Sequence, residues 1–140
     1  MKIKFDGEYK NDLKWNGKGY DALNNIAGIL NNGNGKIKEY NEDGKLEFEG
    51  EYLNDKKNGF GKNFYENGNI EFEGEFKDGL KNGKGKKYDY DGNLIFEGEF
   101  LNGKKINGKG FDESGNELYP LPFHFKSFLY SPSKNNLPLL

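Results

Sequence analysis

Residues 46–69 read LEFEGEYLNDKKNGFGKNFYENGN. The chain then writes nearly the same line twice more, as IEFEGEFKDGLKNGKGKKYDYDGN (70–93) and LIFEGEFLNGKKINGKG (94–110). Anchored on the glycine of E-G-E, Gly50, Gly74 and Gly98 fall 24 residues apart (74 − 50 and 98 − 74). Fainter copies surround Gly7 (KFDGEYKNDLKWNGKGYD) and Gly28 (IAGILNNGNGKIKEY), at steps of 21 and 22 residues (28 − 7 and 50 − 28), with the shortening expected in the turns. A short fixed period of this kind is the signature of a solenoid or array, in which each unit needs its neighbours to bury an apolar face. Five units cover residues 1–119, and a differently composed tail covers 120–140.

Within a unit the alternation is strict. Leu46, Phe48, Gly50 and Tyr52 fall on one side and Glu47, Glu49 and Glu51 on the other; Ile70, Phe72, Gly74 and Phe76 repeat this against Glu71, Glu73 and Glu75. Period two over seven residues predicts a half-buried strand. The stretches NDKKNG, KDGLKNG and NGKKING that follow predict hairpin turns. A second strand carries Phe64 or Tyr88, and ENGN or DYDGN turns the chain into the next unit. Each repeat is therefore one β-hairpin, marginal alone and stable only when stacked. A strand glycine marks close approach. An aromatic ring from an adjacent strand is expected over each of Gly50, Gly74 and Gly98, with Glu and Lys paired across strands on the wet face.

These residues carry a family resemblance. Phe48-Glu49-Gly50-Glu51-Tyr52 followed by Asn58-Gly59-Phe60-Gly61 resembles the MORN repeat, as do Phe72 to Phe76 with Asn82 to Gly85 and Phe96 to Phe100 with Asn107 to Gly110. The first copy fits through Asn16-Gly17-Lys18-Gly19, whereas the second departs, with Ala27-Gly28-Ile29 and a shorter turn. The resemblance implies an all-β fold: a single-layer antiparallel solenoid of hairpins with an aromatic-lined groove on one face. It does not imply one activity, because fold and function separate.

Composition narrows the classes. The hydrophobic fraction is 33% and mean hydropathy is −1.02, but aromatic residues make 16% of the chain. Large rings let a thin structure hold together with few core residues. The absence of Cys excludes disulfides and thiolate metal sites, and a net charge of −2 supplies no global field for nucleic acid. The opening MKIKFDGEYK lacks an apolar leader-like run, so the expected location is cytoplasmic, with peripheral membrane contact as the other expectation.

Several motifs invite sharper chemistry and do not sustain it. The G-x-G pairs lead into strands with no Ser or Thr after the lysine, as hairpin turns do and phosphate loops do not. For Asp89-Tyr90-Asp91-Gly92, placing Gly92 at the sixth position of a calcium loop puts Lys87 at the first, where it cannot ligate. The glutamate rows share a face with lysines, which gives no split pair of carboxylates. His124 and Ser127 lie together in the tail without a pocket to hold a triad. No enzyme activity, cofactor or metal is expected.

From Tyr119 the composition breaks to YPLPFHFKSFLYSPSKNNLPLL, which holds all four prolines of the chain. Phe123, Phe125, Phe128, Leu129 and Tyr130 form an apolar cluster there, expected to cap the terminal sheet edge. The same surface would serve a linear motif or the pairing of two copies. The function expected is a non-catalytic scaffold binding a protein or peptide segment along a groove lined by Phe48, Tyr52, Phe72, Phe76, Phe96 and Phe100. The first alternative is a membrane or phosphoinositide tether using Lys84, Lys86 and Lys87 in a basic strip along the turns. The second is a regulatory inhibitor resembling an antitoxin.

Overall fold

The computed structural model describes residues 4–118. Ten strands form one open antiparallel sheet whose spatial order equals chain order. They are β1 (Lys4–Lys10), β2 (Leu13–Tyr20), β3 (Ile26–Asn31), β4 (Asn34–Tyr40), β5 (Leu46–Leu53), β6 (Lys56–Phe64), β7 (Ile70–Lys77), β8 (Leu80–Tyr88), β9 (Leu94–Leu101) and β10 (Lys104–Gly110). They make five hairpins, and no helix occurs among the described residues. The tail cluster from Phe123 to Tyr130, and with it the expected cap, lies outside those residues.

Every hairpin tip has two residues, both at positive φ: Asn11-Asp12, Asn32-Gly33, Asn54-Asp55, Asp78-Gly79 and Asn102-Gly103. This is the mirror-image turn that matches strand twist, and Asn, Asp and Gly are the residues that enter it at least cost. The turns are thus shorter than NDKKNG and its relatives imply. Lys56, Leu80 and Lys104 already begin strands.

What the remaining residues of those stretches do is build a bulge. In β5–β6 Gly50 faces Gly61 while Tyr52 faces Lys57, so Asn58-Gly59-Phe60 all lie opposite Glu51. Asn82-Gly83-Lys84 lie opposite Glu75 in the same way in β7–β8. A carboxylate holds each bulge: Glu51 accepts the Phe60 N–H at 2.8 Å and Glu75 accepts the Lys84 N–H at 2.6 Å. The β3–β4 hairpin has no bulge. The second copy therefore loses its residues there, and not in its tip, which keeps the usual length.

The asparagines of the N-G pairs join neighbouring hairpins. Asn58 Oδ1 accepts the Asp78 N–H and Asn82 Oδ1 accepts the Asn102 N–H, each at 3.4 Å. Beside them, Gly79 N–H donates to the Lys57 carbonyl and Gly103 N–H to the Lys81 carbonyl. From the second hairpin on, each tip is tied to the hairpin before it.

At the other edge, five-residue turns pass the chain onward. In Asp21–Asn25, Asn41–Lys45, Tyr65–Asn69, Asp89–Asn93 and Asp112–Asn116, the first N–H donates to the fifth carbonyl and the fourth N–H to the first. In four of them the side chain of the first residue, Asp21, Asn41, Asp89 or Asp112, accepts two further backbone N–H groups. The oxygens of Asp89 are thereby turned inward on its own loop. Hydrogen bonds from the backbone and side chain of the fifth residue, an asparagine in each case, hold the carboxyls of Asp21, Asp89 and Asp112 below the usual aspartate range.

Across β3 to β10 one row of partners reads Gly28, Ile37, Gly50, Gly61, Gly74, Gly85, Gly98, Gly108. Backbones crowd along this row. A Cβ on Gly50 would lie 2.5 Å from Gly61 Cα, and one on Gly74 would lie 2.6 Å from Gly85 Cα. Rings do cover the row, but not from the expected side. Phe48 lies along its own strand over Gly50 and reaches across to Gly61; Phe72 does the same over Gly74 and Gly85, and Phe96 over Gly98 and Gly108. The cover from a neighbouring strand falls on the return-strand glycines instead.

Candidate functional site

The face bearing those rings is built continuously through the last three hairpins. On a straight strand, residues four apart are separated by about 13 Å. Here Phe48 and Tyr52 lean together over Gly50 until their centroids are 5.9 Å apart. Phe72 with Phe76 and Phe96 with Phe100 meet at 5.4 Å. Contacts between hairpins, Phe48–Phe76 at 5.4 Å and Phe72–Phe100 at 5.1 Å, link them into one file of edge-to-face pairs. Each such pair adds about 0.5–1.5 kcal/mol beyond area burial. The file stops at β5, because the second hairpin supplies Leu30 and Ile37 in place of rings.

This packing consumes the rings. Phe48, Phe72 and Phe96 are at most 1% exposed, and Phe76 and Phe100 at most 6%. Five of the six residues expected to line an open groove are therefore the core itself, and Tyr52 alone is partly exposed beside it. Single-layer sheets have no second layer to close a core, so the chain closes it with lysines. Lys57 Nζ lies 4.1 Å from the Phe48 centroid, Lys81 4.5 Å from Phe72 and Lys105 4.6 Å from Phe96. Their aliphatic stems cover the rings while the ammonium groups reach water. Burial pushes the ammonium groups of Lys81 and Lys105 below the usual lysine value. Burial, with the Glu39 carboxylate beside it, pushes the Tyr52 phenol far above the tyrosine range.

The lysines of the expected basic strip do not share a face. Lys84 and Lys86 stand on the outer face, in register with Glu99 and Glu97, and Lys86 pairs with Glu97 at 3.6 Å. Lys87 is in register with Phe72 and Phe96 on the ring face. Strand alternation divides them, since these positions are strand and not turn. The outer face instead carries a row of alternating sign, Lys38, Glu49, Lys62, Glu73, Lys86, Glu97, Lys109. Two shallow open depressions flank Phe60 on it, lined by these charges and by glycine backbone. Among the described residues there is no group of three carboxylates or imidazoles able to hold a metal ion.

The lysine covers are not among the residues expected from the sequence, yet a signal for them is there. Lys57, Lys81 and Lys105 each follow their E-G-E glycine by seven residues (57 − 50, 81 − 74, 105 − 98), a constant offset that solvated turn lysines have no reason to keep.

A family model, the MORN repeat, matches residues 48–70, 72–94 and 96–110, which are the hairpins of the ring file. Residues 48–110 carry MORN repeats. Repeats of this family are non-catalytic and serve as protein- and membrane-associated scaffolds. The first two hairpins lie outside the matched residues; the second lacks the ring pair, whereas the first keeps one, Phe5 and Tyr9 at 5.4 Å. No curated protein matches the chain.

Proposed function

We propose that this MORN-repeat chain is a non-catalytic scaffold that binds a protein segment along the ring face. The observation that carries the reading is the file of rings from Tyr52 to Phe96 with Lys57, Lys81 and Lys105 lying over it. A rigid aromatic floor under long, movable side chains offers a partner apolar contact once the lysines swing aside. Large rings within a polar rim are the usual anchors of interfaces. The outer face, by contrast, is a mesh of alternating charge whose pairs contribute little and which mainly keeps the sheet in water.

The test is affinity capture with the full chain and two face variants: Lys57→Glu/Lys105→Glu on the ring face and Lys62→Glu/Lys86→Glu on the outer face. The reading predicts that a captured protein is lost only from the ring-face variant. Capture lost only from the outer-face variant overturns it. Flotation of the full chain with anionic vesicles at low salt, combined with no protein captured, favours the membrane tether.

A further inference from the structure

The ring face is not uniformly charged. At its β5–β7 end Lys57 is answered by Glu39 at 3.4 Å, and Glu39 lines one depression with Lys57 together with Glu47 and Glu71, which register bulges take out of the strict alternation expected of them. Toward β10 the acids stop. The position three before the glycine holds Glu47 and Glu71 in the third and fourth hairpins but Ile95 in the fifth. The position two after the return-strand glycine changes from Asn63 to Lys87. Lys81 and Lys105 lie over Phe72 and Phe96, and Lys87 stands in register between those two rings. Among the described residues neither Lys87 nor Lys105 has an ion pair.

Resting on the scaffold reading, we infer that the β8–β10 half of the ring face docks an acidic segment in polyproline II conformation, with carboxylates three residues apart set on Lys81 and Lys105 and with Lys87 adding positive charge beside them. Spacing chooses the conformation. Lys81 and Lys105 are equivalent residues one hairpin apart, two strand spacings or about 9.6 Å. A polyproline II helix returns to the same side every three residues, about 9.3 Å. An extended β segment presents same-side residues about 6.8 Å or 13 Å apart and fits neither. Sheet edges take β segments through main-chain hydrogen bonds, but this face has no free main chain to offer. The acidic segment is not this chain's own tail, since residues 119–140 hold Lys126 and Lys134 and no Asp or Glu.

The experiment is fluorescence anisotropy of the full chain with three labelled twelve-residue peptides, (Glu-Pro-Pro) repeated four times, (Gln-Pro-Pro) repeated four times and (Glu-Pro) repeated six times. The expected order puts the first tightest, the glutamine peptide at least tenfold weaker, and the alternating peptide at least fivefold weaker despite its higher charge. Lys87→Met/Lys105→Met, which keeps the stems over the rings, should weaken the first peptide at least tenfold. Lys84→Met/Lys86→Met on the outer face should leave it within twofold. Affinity that follows total charge regardless of spacing overturns the inference, as does loss in the outer-face variant. The peptide order on the unmodified chain decides this even if a variant fails to fold. If no acidic peptide binds while a captured protein still depends on the ring face, the inference falls and the scaffold stands. If no captured protein depends on that face either, both fall.

Discussion

Replacing Gly85 with alanine puts the ring file under direct strain. Gly85 has ordinary backbone torsions, so the added methyl acts only through space. Its Cβ would lie 2.5 Å from Phe72 Cε2, 2.6 Å from Cζ and 3.3 Å from Phe100 Cε1. Carbon atoms rest at roughly 3.5–4.0 Å, so the Phe72 ring must withdraw by about 1 Å. It has nowhere to go: it is fully buried and held edge-to-face by Phe76 at 5.4 Å and Phe100 at 5.1 Å. Overpacking of this kind costs about 1–3 kcal/mol, and disturbing one ring pair adds about 0.5–1.5 kcal/mol. Gly85→Ala should therefore destabilise the chain by about 3 kcal/mol. Phe72→Ala alone should cost about 3–5 kcal/mol, but it removes the atoms that clash. In that background Gly85→Ala should cost less than about 1 kcal/mol, a coupling of about 2 kcal/mol between residues on neighbouring strands. Urea unfolding followed by far-UV circular dichroism measures all four corners of the cycle. Phe72→Leu replaces Phe72→Ala if the latter leaves too little folded protein. Additivity within about 0.5 kcal/mol would refute the claim that the glycine is there for the ring.

Gly83 sits at φ +109, and a Cβ added there would lie 2.7 Å from a Glu75 carboxylate oxygen, so Gly83→Ala should cost about 2 kcal/mol in urea unfolding. Gly79→Asp should be neutral within about 0.5 kcal/mol, because Asp12 and Asp55 already occupy the same turn position at φ 65. Burial, together with the 2.7 Å hydrogen bond from its hydroxyl to Glu73, pushes the Tyr88 phenol up to about 12. The folded state thus keeps its proton longer than the unfolded chain, and this contribution is complete below pH 10 and lost as pH rises toward 12. Glu73→Gln should move the Tyr88 titration, read by NMR of the ring carbons, back toward 10. Asp89 has the opposite sign: its lowered pKa gives stability present above about pH 4 and lost as pH falls through the folded value. Asp89→Asn should keep the turn, as Asn41 does in its own, and remove that acid sensitivity, whereas Asp89→Ala should lower the melting temperature.

The hairpins were legible because E-G-E with flanking rings alternates with period two, and because Asn, Asp and Gly mark the tips. The bulges were not. N-G-F-G and N-G-K-G look like turn text, and only the pairing of Tyr52 with Lys57 beside Gly50 with Gly61 shows that they belong to a strand. The same ambiguity hid the face of each lysine: a residue misplaced into a turn has no side, so Lys84, Lys86 and Lys87 read as one strip when the sheet divides them. The rings were legible as the feature that unites the repeats. That the rings would be buried almost completely, leaving no open groove, was not, since a one-layer sheet gives no hint in sequence of what lies above its apolar face. The cover, Lys57, Lys81 and Lys105, was written in plain period but in residues that solvent usually claims.

The most direct test of the scaffold is lysine footprinting of the full chain, by amine labelling and mass spectrometry, free and with a captured partner. The account predicts that the partner changes labelling at Lys57, Lys81, Lys87 and Lys105 while Lys62, Lys84 and Lys86 label as before. Protection confined to Lys62, Lys84 and Lys86 would place the partner on the charged outer face and contradict it.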